Sequence, residues 1–109
     1  MQRTYEIREY TTQDGRSPFA DWFDRLDSVT AARVDRYIRR LEAGNLGAAK
    51  SLGGGVFELR LDFGPGYRVY FGCEGQSVVI LLGGGSKRRQ GADIAAAVER
   101  WKQHKQTTT

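Results

Sequence analysis

The stretch that most constrains the fold is VFELRLDFGPGYRVYF, residues 56 to 71, in which two alternating runs flank a Gly-Pro-Gly turn. Alternation with a period of two is typical of β-strands, and glycine and proline mark turns, so the stretch predicts a β-hairpin. The apolar residues of both strands share one face only in one register. That register places Arg60 opposite Tyr70 and Asp62 opposite Arg68, across a three-residue loop.

The polar face of this hairpin carries two arginines inside strands. One interpretation is a cross-strand ion pair of Asp62 with Arg68, worth about 0.2–1 kcal/mol, with Arg60 solvated. The other is an anion site, because guanidinium groups on rigid strands match a phosphate with paired hydrogen bonds. Lys87, after the next apolar run, and Lys50, in the segment before the hairpin, could reach the same surface. Cations from separate segments favour the anion site.

Two helices are predicted before the hairpin. Ser17 and Pro18 match the preferred residues at a helix N-cap and first helical position. A second helix over residues 29–43 follows with almost no linker, which predicts a helical hairpin. Its arginines are interpreted mainly as a solvated face, because Asp35 and Glu42 interrupt them. The apolar face of the first helix, expected in the core, comprises Phe19, Trp22, Phe23 and Leu26.

The remaining segments complete an α+β pattern. Residues 4–10 alternate and predict a strand, whereas residues 77–85 form a continuous apolar run typical of a central strand buried on both faces. The glycine-rich segment 45–55 is predicted to be a loop. A last helix is predicted with Asp93 as its N-cap. The resulting order, β-α-α-β-β-β-α, indicates an α+β domain with a mostly antiparallel sheet.

Composition limits the function classes. The 109 residues include 17 Lys and Arg against 13 Asp and Glu, a net charge of +4. Such a balance favours an anionic partner, either nucleic acid or an acidic protein. The N-terminal segment lacks the apolar run of a signal peptide, and no stretch approaches the roughly 20 apolar residues of a membrane span. We therefore expect a cytoplasmic protein without a membrane partner.

Single copies of cysteine and histidine exclude several kinds of site. Neither a disulfide nor a cluster of thiolate or imidazole metal ligands can form within the chain, so no metal or cofactor is expected. Cys73 is expected to pack as a small apolar residue. His104 is expected to be a solvated residue near the end of the last helix.

The run RLEAGNLGAAKSLGGGVFELRLDFGPGYRVYF, followed by ILLGGGSKRRQGADIAAAVERW, resembles the RelE/ParE superfamily of type II toxin–antitoxin toxins. Within it, the HigB-like addiction module killer proteins are the most similar branch. The resemblance covers nearly the whole chain, so we expect one toxin domain over residues 1–106, with residues 107–109 as a frayed tail. It implies two N-terminal helices against a curved, mostly antiparallel sheet.

The resemblance also implies an activity, namely ribosome-dependent cleavage of mRNA by a metal-independent endoribonuclease that arrests translation and growth. It implies a cognate helix-turn-helix, HigA-like antitoxin, through which alone the chain would contact operator DNA. In such enzymes a ribose 2′-OH attacks the adjacent phosphate, and cations stabilise the charged phosphorane. The residues that match the family's basic catalytic positions are Arg60, Arg68, Lys87 and Lys50. Further candidates for contact with RNA are Arg88, Arg89 and Tyr70.

The chain departs from RelE at one position that matters for catalysis. RelE carries a tyrosine near the start of its last helix, whereas RRQGADIAAA offers Asp93 and neither tyrosine nor histidine. The general base is therefore unassigned, and Lys50 or Lys87 is the candidate, because neighbouring arginines would favour a neutral amine. Two alternatives stay open. One is a ParE-like, non-enzymatic poison of DNA gyrase, and the other is an inactive partner and co-repressor of the antitoxin.

Overall fold

The computed structural model describes residues 4–107, which form a five-stranded sheet with helices on both faces. The strand order is β1-β5-β4-β3-β2, in which only β1 and β5 are parallel. The predicted α+β class and mostly antiparallel sheet are confirmed. The strands are β1 (Glu6–Glu9), β2 (Ala49–Gly53), β3 (Val56–Arg60), β4 (Arg68–Glu74) and β5 (Val78–Gly85). The helices are α1 (Pro18–Phe23), α2 (Ser28–Glu42) and α3 (Gln90–Thr107), with a 3₁₀ turn at Lys87–Arg89.

Helices α1 and α2 pack on the first face of the sheet. Ser17 caps α1 as predicted, since its hydroxyl accepts a hydrogen bond of 3.1 Å from the Ala20 amide. Asp27 caps α2 in the same way through the Thr30 amide. The apolar stripes of both helices, including Phe19 and Trp22, meet the apolar face of the hairpin in one core. This core agrees with the residues expected from helical spacing.

Helix α3 covers the opposite face of the sheet with a second, smaller core. Trp101 is buried there together with Val56 and Leu82 from the strands. His104 stacks on Trp101 with ring centroids 5.5 Å apart, and its Nε2 lies 2.6 Å from the Glu74 carboxylate. The prediction that His104 is solvated was therefore wrong, because the ring joins the end of α3 to β4.

Strand β5 occupies the interior of the sheet, between β1 and β4. It ends in three glycines whose missing side chains let neighbouring groups press against the backbone. A Cβ at Gly84 would overlap the Trp22 ring, while one at Gly85 would overlap the Asp93 carboxylate on the other face. The prediction of a central strand buried on both faces is confirmed.

Two local predictions differ from the structure. The glycine-rich segment 45–55 contains the edge strand β2, which pairs with β3 and has a bulge near Gly53. Helix α3 begins at Gln90, three residues before the predicted N-cap Asp93. The helix continues through Thr107, and the last two residues of the predicted tail lie outside the described residues. No helix within residues 4–107 is long and apolar enough to cross a bilayer.

Candidate functional site

The register of the β3–β4 hairpin sets the positions of both strand arginines. Arg60 lies opposite Arg68, and Glu58 lies opposite Tyr70. The predicted register, with Arg60 opposite Tyr70 and Asp62 opposite Arg68, was therefore wrong by two residues. A shift of two preserves the alternation of faces, so the apolar set still meets the first core. The Leu61 amide donates to the Tyr67 carbonyl at 3.0 Å, which leaves a loop of residues 62–66.

Arg68 is buried beneath α3, where only 6% of its surface is exposed. Its Nε lies 3.6 Å from the Glu58 carboxylate, and its Nη1 donates to the Gly66 carbonyl at 2.7 Å. Glu58 also accepts a hydrogen bond of 2.9 Å from Gln90 Nε2. The ion pair proposed with Asp62 is thus replaced by one with Glu58. The Glu58–Arg68 pair holds the Arg68 guanidinium below the protein surface.

Tyr70 lies on the same face of β4 as Arg68 and is also buried, with 1% of its surface exposed. Its hydroxyl has no hydrogen-bond partner among the described residues. Burial, together with the nearby carboxylates of Glu58 and Asp93, raises the pKa of this phenol. In this conformation the Tyr70 side chain does not reach the protein surface.

Arg60 and Lys87 are exposed and line one depression of about 560 Å³ beside the β3–β4 loop. The Lys87 amide donates to the Pro65 carbonyl at 3.2 Å, which fastens the 3₁₀ turn to this loop. Gly66, at φ +75°, stands so close that a Cβ there would lie 3.1 Å from Lys87 Cβ. The structure therefore brings two of the four catalytic candidates together. We call this feature the cationic depression.

The other basic candidates lie outside the lining of the cationic depression. Lys50 is exposed in strand β2, not in a loop, and pairs in register with Glu58. Alternation therefore places it on the same sheet face as Arg60 and Arg68. Arg88 and Arg89 are exposed in the 3₁₀ turn after β5.

Some cations among the described residues have ion-pair or aromatic partners, whereas those around the β3–β4 loop, like Arg36, Lys50 and Lys102, have none. Arg8, Arg16 and Arg39 form ion pairs with neighbouring carboxylates. Arg33 and Arg40 instead lie over aromatic rings, at 4.0 and 4.7 Å from the centroids. Within residues 4–107, no carboxylate lies within 4 Å of the cationic groups that surround the loop. These free cations are Arg25, Arg60, Lys87, Arg88 and Arg89.

The arrangement suits the binding of a phosphate better than the binding of a metal. Among residues 4–107 no group of three or more His, Cys, Asp or Glu side chains could hold a metal ion. Arg60 and Lys87 can donate hydrogen bonds to phosphate oxygens and offset their charge. Asp62 also lines the depression but forms no ion pair with Arg60 or Lys87, and Glu58 is engaged by Arg68 and Gln90.

Sequence reasoning missed the buried network of Glu58 and Gln90 behind the strand arginines. The alternation of the hairpin marks Glu58 as a polar-face residue, but nothing in the strand pattern indicates that α3 covers that face. Arg25 was also missed, because it lies at the end of α1 and is far in sequence from the other cations.

Comparisons with known proteins agree with this architecture. Residues 21–102 match the family described as "Phage derived protein Gp49-like". An uncharacterized protein of Haemophilus influenzae is 45% identical over 80 residues, which cover 72% of this chain and 81% of that protein.

Two solved structures share the fold at 18% sequence identity. A free mutant of the E. coli toxin RelE superposes with a TM-score of 0.65 over 89% of this chain and 97% of its own. The toxin–antitoxin complex RelBE2 of Mycobacterium tuberculosis gives a TM-score of 0.61 over 80% of this chain and 95% of the matched chain. The chain therefore belongs to the Phage derived protein Gp49-like family and shares the fold of the RelE toxin structures.

Proposed function

We propose that this protein is the toxin of a type II toxin–antitoxin system and that it cleaves mRNA on the ribosome. The observation that carries the proposal is the cationic depression, where Arg60 and Lys87 stand exposed and without a carboxylate partner among the described residues. The RelE fold supports the toxin class. Mutual repulsion of free cations is offset when an anion binds between them, and RNA supplies phosphate at regular spacing.

The chemistry required is transfer of the phosphate to a neighbouring ribose hydroxyl. Attack by the 2′-OH places extra negative charge on the phosphate oxygens in the transition state. Arg60, carried on a strand, and Lys87, fastened through Pro65, would stabilise that charge with little reorganisation. Arg68, opposite Arg60, would add positive potential from behind without touching RNA. Lys50 and Lys87 remain the candidates for the proton acceptor.

The proposed partners are an antitoxin and translated mRNA. One matched structure is a toxin–antitoxin complex, and we extend that pairing to this chain. A helix-turn-helix antitoxin of the HigA-like class, with operator DNA reached only through it, fits the HigB-like sequence pattern.

The decisive experiment expresses the protein in cells and maps the 5′ ends of mRNA. We expect cleavage within translated codons and growth arrest, and we expect Arg60→Ala to reduce cleavage by about 100-fold or more, as for loss of one preorganised charged donor. The matched control is Arg36→Ala, which removes one exposed charge from α2 outside the lining of the cationic depression.

Other outcomes would refute RNA cleavage or the role of the cationic depression in it. Double-strand DNA breaks with intact mRNA would identify a gyrase poison. Absence of toxicity for a folded protein would identify a partner that serves only antitoxin binding. Equal loss of cleavage in Arg36→Ala and Arg60→Ala would show that general charge, and not the cationic depression, is responsible.

A further inference from the structure

Pro65 lines two depressions, one on each side of the β3–β4 loop. The first is the cationic depression. The second, of about 340 Å³, lies among the end of α1, the end of β5 and the start of α3. This volume is within the range of small-molecule sites, about 300–1,000 Å³. We call it the aromatic pocket, after two of its lining residues, Trp22 and Tyr67.

The aromatic wall of this pocket is held in place from behind. The Trp22 ring packs against Gly84 of β5, where no side chain intervenes. Tyr67 meets Trp22 edge to face, with centroids 6.2 Å apart and planes at 65°. Tyr67 is only half-buried, so part of its ring is open to the pocket. A rigid, partly exposed aromatic ring is a surface on which a planar ligand can stack.

The remaining lining residues combine both signs of charge. Arg25 and Arg89 are exposed, and among the described residues neither forms an ion pair. Asp93 is half-buried, with Arg89 and Arg100 near enough to act on its carboxylate electrostatically. Guanidinium groups bind phosphate, whereas a carboxylate repels it and accepts hydrogen bonds from amino groups. A ligand that stacks on the aromatic ring, binds the guanidinium groups and donates a hydrogen bond to the carboxylate is planar, carries an amino group and is attached to phosphate.

We propose that the aromatic pocket binds one nucleobase of a single-stranded RNA, with Arg25 and Arg89 contacting its phosphates. The inference rests on the proposed function and extends it, because a strand that crosses Pro65 would place the next phosphate in the cationic depression. Single-stranded RNA is commonly read by stacking on aromatic rings and by hydrogen bonds to base edges. Asp93 would select bases with an exocyclic amino group, as cytosine has, over uracil.

The test uses the two tryptophan indole N–H signals of the ¹⁵N-labelled protein, assigned with Trp101→Phe. Trp22 lines the pocket, whereas Trp101 lies on the opposite face of the sheet. Cytidine 3′-monophosphate should shift the Trp22 signal and leave that of Trp101 in place. Ribose 5-phosphate, which lacks a base, should not shift it. Uridine 3′-monophosphate should bind about tenfold more weakly, the ratio expected for one hydrogen bond to a charged group.

Variants separate the roles of the lining residues. Asp93→Ala should make the cytidine and uridine nucleotides bind equally, and Arg89→Ala should weaken both. The matched control is Lys102→Ala, which removes one exposed charge from the same helix outside the pocket. The proposal is overturned if Trp22 does not respond to nucleotide at on the order of 10 mM, a concentration that fills most sites of millimolar Kd. An equal response to ribose 5-phosphate would also overturn it.

The readout is independent of RNA cleavage. Nucleotide binding as described, without mRNA cleavage in cells, would refute the proposed function and leave the pocket established. Cleavage in cells without a Trp22 response would refute the pocket alone.

Discussion

Arg60 and Arg68 lie opposite each other on neighbouring strands, yet they have different surroundings. Arg60 is exposed beside the loop, whereas Arg68 is fixed between the Glu58 carboxylate and the Gly66 carbonyl. Removal of one member of a buried ion pair typically costs about 3–5 kcal/mol, because the other charge is left without compensation. A variant of Arg68 would therefore confuse loss of stability with loss of activity, and Arg60 is the better residue for testing function.

Tyr70→Phe tests what a buried polar side chain beneath α3 contributes to stability, without removing a charge. The Tyr70 hydroxyl has no hydrogen-bond partner among residues 4–107, so its loss should raise the free energy of unfolding by up to about 1 kcal/mol. Burial raises the pKa of Tyr70, so in the unfolded chain the phenol ionises first, near pH 10. Wild-type stability should therefore fall as pH rises above about 10, and Tyr70→Phe should lack that part of the fall.

Urea unfolding at pH 7 and at pH 10 to 11 measures both effects. A loss of more than about 1 kcal/mol at pH 7 would show that the hydroxyl makes a stabilising hydrogen bond. Far-UV circular dichroism at each pH checks that the variant remains folded before urea is added.

At the scale of elements, the end of β5 depends on residues that have no side chain. Gly84→Ala would drive a Cβ into the Trp22 ring, which α1 and the sheet hold on both sides. Overpacking of this kind typically costs about 1–3 kcal/mol. We expect Gly84→Ala to lower the free energy of unfolding by about 1–3 kcal/mol, by the same principle, in urea titrations.

Gly91→Ala is the matched control in α3. A Cβ at Gly91 meets nothing within 4 Å, and its backbone is helical. Alanine there should raise stability by about 0.4–1 kcal/mol, because it restricts the unfolded chain. Equal effects of the two substitutions would contradict the packing seen around β5.

The elements show how much of the fold sequence alone can predict. Alternation and helical spacing are local, so they identified both faces of β3 and β4 and the core stripe of α1. Register depends on where the ladder ends, and the Leu61–Tyr67 hydrogen bond ends it before the loop that the glycines suggested, which leaves a five-residue loop instead of three. Strand β2 was not predicted, because an edge strand needs no apolar alternation and the residues of β2 are mostly exposed.

The candidate site was predictable only in part, because the patterns that predict strands and helices are local in sequence. The strand pattern identified Arg60, Arg68 and Tyr70 as one face. It could not tell that α3 buries two of them, because that depends on packing between segments far apart in sequence. Lys87 was identified by its position after β5, and the Pro65 hydrogen bond brings it to Arg60.

At the scale of the molecule, two cores share one sheet. Trp22 belongs to the core beneath α1 and α2, and Trp101 to the core beneath α3. Because strands β3, β4 and β5 contribute to both, the loss of either core should expose the other. We expect Trp22→Phe and Trp101→Phe, each with one remaining tryptophan, to show single urea transitions whose fluorescence and far-UV circular dichroism coincide.

Separation of the two probes would contradict this expectation. If the fluorescence of Trp101 changed at lower urea than the circular dichroism, α3 would be a unit that detaches before the sheet unfolds. The comparison within each variant removes the effect of the substitution itself on stability.

The parallel pairing of β1 with β5 has a consequence for synthesis of the chain. Ile7 of β1 pairs with Val79, about 70 residues later, and β5 separates β1 from the rest of the sheet. A nascent chain still lacking β5 can form the β3–β4 hairpin but has no place to dock its first strand. The complete sheet can therefore assemble only after β5 has left the ribosome exit tunnel, so the ribosome must translate well past Gly85 before the folded sheet can exist.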